Sequence, residues 1–197
     1  MRQTARYLAG GNIDSLVNSP ALREVAEALM GGPSTLYLPF TAVKSGGGGG
    51  RFHFHQDNQY TRLDGPGINL WFALTAMMPE NGCLQVVPGS HLSGTLPADV
   101  LGDGHRSVTA EPDDFISIEM QPGDCIAFTR LTVHGSGPNV TPAPRVAYAV
   151  QFHRDDVNAT WDGSGGPVNL KAHPRFATGP VESIIEQATV AENLDGH

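Results

Sequence analysis

Cysteine is scarce in this chain. The only two of its 197 residues, Cys83 and Cys125, stand alone in apolar, strand-like stretches. Neither belongs to a Cys-x-x-Cys pair, which argues against a zinc ribbon or a redox motif. Both are expected to be buried free thiols in a reducing cytoplasm. Positive charge is scarce too: 12 Lys and Arg face 20 Asp and Glu, a formal net charge of −8. That balance argues against a nucleic-acid or anionic-membrane partner. Long apolar runs are lacking, and none reaches the length of a membrane span. The basic start Met1-Arg2-Gln3-Thr4-Ala5-Arg6 leads into Tyr7-Leu8-Ala9-Gly10-Gly11, which is no signal-peptide core. A cytoplasmic protein is expected, with a homo-oligomer left open.

What the chain has in excess is glycine and proline, 24 and 15, the mark of many turns between short elements. Its length suits one domain, taken as residues 1–197. Ser19-Pro20 opens a helix with an apolar stripe of Leu22, Val25, Ala26 and Leu29, and Gly31-Gly32 ends it. Strands are predicted at Thr35 to Val43, Arg51 to Asp57, Ile68 to Met77, Leu84 to Val87, Phe115 to Met120, Cys125 to Phe128 and Arg145 to Phe152. Turn signals such as Glu80-Asn81-Gly82 and Pro88-Gly89-Ser90 separate many of them, so the fold class is mainly β, a sandwich or barrel. A second helix is expected from Val181 to Leu194. The glycines 46–50 predict a floppy surface turn, because ordering such a run costs much backbone entropy; a mobile lid is the competing reading.

The chemistry sits in His55-Gln56-Asp57, followed by His134 and Arg145. Two imidazoles and a carboxylate are the protein ligands of a facial triad that leaves positions open on non-heme Fe(II). In an extended strand, His55 and Asp57 share a face with His53. Arg145 lies in an otherwise apolar strand, and its planar fork suits an organic carboxylate; a structural salt bridge or an edge position is the alternative. Ser136 could add a hydroxyl to the same carboxylate, or serve only the turn. The set suggests an oxygenase that consumes a 2-oxo acid. Trp71 and Phe128 are expected in the core, and His91 in a structural turn.

The stretches Phe52-His53-Phe54-His55-Gln56-Asp57, Asn81 to His91, Pro122-Gly123-Asp124, and His134 to Asn139 running on to Pro144-Arg145 resemble the phytanoyl-CoA dioxygenase family. This family of Fe(II)/2-oxoglutarate-dependent oxygenases includes the ectoine hydroxylases. The resemblance runs from about Ser19 to Phe152. It implies a double-stranded β-helix (a cupin-like jelly roll with flanking helices) that uses Fe(II), 2-oxoglutarate and O2. It assigns His55, Asp57 and His134 to iron, and Arg145 with Ser136 to the distal carboxylate of 2-oxoglutarate. Because relatives that halogenate have a small residue in place of the carboxylate, Asp57 favours hydroxylation. The N-terminal helical region is shorter than in family members, which suggests a more open pocket or one completed by a partner chain. Thr61 stands where ectoine hydroxylases have tryptophan, and Leu38-Pro39-Phe40 replaces their polar pocket residues, so ectoine is not the expected substrate. His53, Tyr60 and Arg62 are candidate substrate neighbours.

Two rival classes remain at this point. His53-x-His55 with His134 and Asn139 loosely echoes metal-dependent cupins that do not use 2-oxoglutarate, although no downstream glutamate ligand stands out. A non-catalytic jelly-roll binding protein is the other. Fold alone does not separate these classes.

Overall fold

A computed structural model of the chain describes residues 6–109, 112–176 and 179–181. Eight strands build the barrel: β1 (Ser34–Lys44), β2 (Phe52–His55), β3 (Gly67–Ala73), β4 (Leu84–Val86), β5 (Ile116–Ile118), β6 (Cys125–Thr129), β7 (His134–Ser136) and β8 (Arg145–Arg154). They form two four-stranded sheets, ordered β6-β3-β8-β1 and β2-β7-β4-β5, and all the pairings are antiparallel. Sequential strands thus alternate between sheets, except at β4-β5, where the chain turns back. This is the winding of a double-stranded β-helix, and the expected jelly roll is what the chain adopts.

Alternation along β8 divides the molecule into layers. Ala147 and Ala149 point between the sheets, where they meet Phe40, Trp71, Leu84, Val86 and Phe128. Tyr148, Val150 and Phe152 point outward and pack with Ile68 and Leu70 under two helices, α1 (Asn12–Val17) and α2 (Pro20–Met30). The helix α2 begins after Ser19 with Pro20 in its first turn and ends at Gly31, whose φ of 71° is the left-handed conformation that glycine tolerates. Its buried face runs through Ala26 and Met30, with Leu22 beside them. Val25 and Leu29, expected in the same stripe, are exposed. The i, i+4 spacing of Leu22, Ala26 and Met30 lines up better with the outer face of the sheet.

Three further expectations need correction. Cys83 is buried but Cys125 is exposed, because β6 is an edge strand whose alternation turns Ile126 and Phe128 inward and Cys125 outward. Asp57 does not continue the strand β2: it opens a 3-10 turn over Asp57–Gln59. The glycine run is a surface turn, but a hydrogen-bonded one. The amides of Gly47 and Gly48 donate to the carbonyls of Thr141 and Asn139, at 2.7 and 2.9 Å, and the amide of Asn139 donates back to Gly49 at 2.8 Å. A Cβ on Gly46 would come within 2.2 Å of the Pro142 carbonyl oxygen, so glycine is what lets the two loops close. The turn at His91 is as expected, a 3-10 turn over Ser90–Ser93. Apart from Val181, which pairs in a short strand Gly179–Val181, the expected second helix lies outside the described residues. No helix among the described residues is long and apolar enough to cross a membrane.

Candidate metal centre

His55 ends β2 and His134 begins β7, and the two are direct cross-strand partners. Opposed residues on one face hold their Cβ atoms about 5 Å apart, so the rings lie side by side with centroids at 4.3 Å. Each ring uses Nδ1 on a backbone carbonyl two residues earlier, His55 on His53 and His134 on Thr132, both at 2.9 Å. A carbonyl only accepts, so each Nδ1 carries the proton and each Nε2 turns its lone pair into the site. The third member arrives by a turn. Gln56 is fully buried, and its side chain donates to the carbonyls of Gly94 and Leu131 and accepts from the Leu96 amide. Anchored there, the chain bends, and Asp57 Oδ1 comes to 3.9 Å from both Nε2 atoms.

The three ligand atoms lie within 4.8 Å of one another. Donors bound at about 2.1 Å to one ion lie roughly 3.0 to 4.2 Å apart, so a small contraction would close the set around a metal. Protonation favours the same use. Burial, then the neighbouring His134, pushes the His55 pKa down to about 3, leaving a neutral imidazole. Burial alone would raise the Asp57 carboxyl, but His134, Arg130, His55 and a hydrogen bond from Asn69 outweigh it and hold the group below its ordinary value. An anionic oxygen and two inward nitrogens are what a divalent cation takes.

Supporting groups fix Asp57 from behind. Gln151 Nε2 donates to Oδ2 at 3.0 Å, leaving Oδ1 for the site. The buried Arg130 donates to Gln151 Oε1 and to the carbonyls of Asp57 and Thr61.

These groups open on a cavity of about 830 Å3 that also contains Arg145 and Ser136 in its wall. Arg145 is 4% exposed; its Nε donates to the Gly82 carbonyl and its guanidinium lies 5.5 Å from the Trp71 ring. Its Nη1 is buried with no hydrogen-bond partner among the described residues. Opposite it on the neighbouring strand stands Lys44, also buried, with Nζ on the carbonyls of Gly50 and Gly137. Neither cation has a carboxylate within 4.0 Å among the described residues. Burial, then the charge of Arg145, pushes Lys44 down to about 8, and burial lowers Arg145 to about 10. Two desolvated like charges side by side are costly unless an anion joins them.

All five residues singled out from the sequence thus face one cavity. Of the candidate substrate neighbours, Tyr60 lines it, whereas His53 and Arg62 do not. Trp71 belongs to the core as expected but also faces the cavity; Phe128 packs on the His134 ring, 4.8 Å between centroids. Sequence reasoning missed Lys44, Gln151, Asn69 and Arg130. Strand parity could have found three of them: Gln151 shares the inward face of Arg145, Lys44 that of Phe40 and Ala42, and Asn69 that of Trp71 and Ala73.

The family model for phytanoyl-CoA dioxygenase matches residues 8–147. The chain belongs to the phytanoyl-CoA dioxygenase family. It is 37% identical over 133 residues to a methylphosphonate hydroxylase of Gimesia maris, covering 68% of this chain and 50% of that protein. To phytanoyl-CoA dioxygenase of Arabidopsis thaliana it is 35% identical over 119 residues, covering 57% and 42%. The chain spans about half the length of the curated relatives it matches. Among solved structures, the non-heme monooxygenase ThoJ superposes with a TM-score of 0.70 at 24% identity, covering 92% of this chain and 71% of that one. EvdO2 from Micromonospora carbonacea, complexed with 2-oxoglutarate, gives 0.66 at 22%, covering 83% and 69%. These two likenesses establish a shared fold.

Proposed function

We propose that this member of the phytanoyl-CoA dioxygenase family is an Fe(II)- and 2-oxoglutarate-dependent oxygenase. It would hydroxylate, or otherwise oxidise, a C–H bond of a small molecule, with release of succinate and CO2. The observation that carries this reading is the pairing of two features in one cavity: an inward His-Asp-His cluster, and two buried cations without a carboxylate partner among the described residues. Either feature alone has structural explanations; together they fit a metal and an organic dianion. The core shared between the two sheets, with Trp71 and Ala147 from one against Leu84 and Val86 from the other, supports treating the chain as one catalytic domain.

In this reading His55 Nε2, Asp57 Oδ1 and His134 Nε2 hold the iron. The Arg145 fork and the Lys44 ammonium hold the distal carboxylate of 2-oxoglutarate, with the Ser136 hydroxyl as a further donor. Iron and 2-oxoglutarate, when bound, supply the activation of O2 and the oxidising power; the protein supplies ligation, orientation and protection. Gln151 and Arg130 keep the Asp57 carboxylate anionic and aimed. The carbonyls of His53 and Thr132 keep both imidazoles in the ligating tautomer. Phe40, Trp71 and Leu84 line the cavity with apolar surface that keeps water away from the reacting centre.

The test is an anaerobic titration of the Fe(II)-loaded protein with 2-oxoglutarate, then a screen for substrate-stimulated succinate. A saturable visible absorption band with one 2-oxoglutarate per iron is expected. A cupin that does not use 2-oxoglutarate would bind iron without that band, and a non-catalytic binding protein would not bind iron stoichiometrically.

A further inference from the structure

The wall of the cavity has a charge opposite to that of the molecule. The chain carries a formal −8, yet the lining has five basic side chains, Lys44, Arg51, Arg130, Arg145 and Arg175, against two carboxylates, Asp57 and Asp103. On the functional reading above, on which this inference rests, the divalent metal and the dianionic co-substrate cancel each other. The surplus of positive charge therefore remains in the loaded site.

The cations are not in one place. Lys44 and Arg145 face each other at one end of β1 and β8. Tyr37, seven residues earlier on β1, marks the other end, about 23 Å away along an extended strand. A five-carbon diacid held at the first end cannot reach the second. Arg130 is committed, since its two terminal nitrogens are used on Gln151, Asp57 and Thr61. Arg175 is not. It donates to the Thr61 hydroxyl, its guanidinium lies 5.4 Å from the Trp161 ring and 5.0 Å from the Phe176 ring, and no carboxylate lies within 4.0 Å among the described residues. Thr61 follows Asp57 by four residues, and the two backbone carbonyls share Arg130 Nη2, so Arg175 stands on the Asp57 side of the site. Next to it Tyr37, Leu38 and Phe176 give an apolar wall.

We propose that the Thr61–Arg175 end binds an oxyanion head of the substrate, a carboxylate or a phosphonate, so that the substrate is an organic anion with an alkyl part. A guanidinium stacked on rings keeps its in-plane donors for such a head, and the Thr61 hydroxyl, accepting from Arg175, has its own proton to donate. The alkyl part lies against Tyr37, Leu38 and Phe176, and its C–H bond faces the metal side of the cavity.

Calorimetric titrations of the Fe(II)- and 2-oxoglutarate-loaded protein, without O2, test this with three probes of matched size: propionate, ethylphosphonate and propionamide. At least one anion is expected to bind while propionamide does not, and the stronger of the two names the head group. Arg175→Gln should weaken that anion roughly tenfold to a hundredfold, and Thr61→Val by a smaller factor. Neither change should shift the 2-oxoglutarate-dependent absorption band. Arg175 is exposed, so its replacement leaves the core intact. Binding of propionamide as tight as that of the anions, an unchanged affinity in Arg175→Gln, or no anion bound more tightly than about 10 mM would each overturn the proposal. If the band itself never forms, the functional reading fails instead.

Discussion

The sheet β2-β7-β4-β5 is built from strands of three or four residues, and the sheet β6-β3-β8-β1 from strands of five to eleven. The short sheet and its flanking turn offer the candidate metal ligands His55, Asp57 and His134. The long sheet offers Lys44 and Arg145, the proposed anion anchors, and Asn69 and Gln151, which hydrogen-bond Asp57. The difference is physical. Short strands end at the cavity, where two strand ends and a turn bring single atoms together. Long strands run the length of the cavity, so one strand such as β8 places Arg145 at one end and Gln151 at the other. Coordination needs convergence at a point; holding extended molecules needs groups spaced along a line.

Changes in the two sheets should therefore fail in different ways. The largest effect is expected for Asp57→Ala, which should abolish 2-oxoglutarate turnover and iron binding together, measured by succinate and metal content. Near-normal succinate would remove Asp57 from the ligand set and dissolve the contrast. In the long sheet, Arg145→Ala should raise the KM for 2-oxoglutarate about a hundredfold, with iron content nearly unchanged. Loss of iron in that variant would mean that the sheets do not divide the work. Gln151→Leu sharpens the boundary, since it reaches the metal only through Asp57 Oδ2. Iron affinity should fall about tenfold while the KM for 2-oxoglutarate moves little.

The smallest effect is in pH. Burial holds Lys44 near 8 rather than its ordinary value, so its charge is present below that pH and lost above it. Affinity for 2-oxoglutarate should fall a few-fold between about pH 7 and 9, and Lys44→Met should flatten the profile. A profile with the opposite slope would detach Lys44 from the anion.

The same contrast explains what could be read in advance. Long strands advertise themselves: the alternation from Thr35 to Val43 and from Arg145 to Phe152 gives both elements nearly whole, and a lone arginine among apolar residues points to the candidate anion anchor. The short strand β7 carried no alternation to read, and His134 was located only as the end of some element. The extended His-x-Asp reading brought the candidate ligands together for a wrong reason. Asp57 converges because the buried Gln56 side chain bends the backbone, and nothing local in the sequence marks a glutamine as an anchor to Gly94 and Leu131. Arg130 was invisible because its partners come from the turn after β2 and from the far end of β8.

The five glycines from 46 to 50 read as one letter repeated, but the fold sees unlike sites. A methyl group at Gly46 collides with the Pro142 carbonyl, whereas at Gly50 nothing lies within 4 Å. Uniform spelling thus hides unequal tolerance: substitution should be excluded at Gly46 and Gly49, strained at Gly47 and Gly48, and nearly free at Gly50. Deleting one glycine is a different injury from replacing one, because it slides every later letter onto its neighbour's site and draws the Lys44 and His55 ends of the tether together.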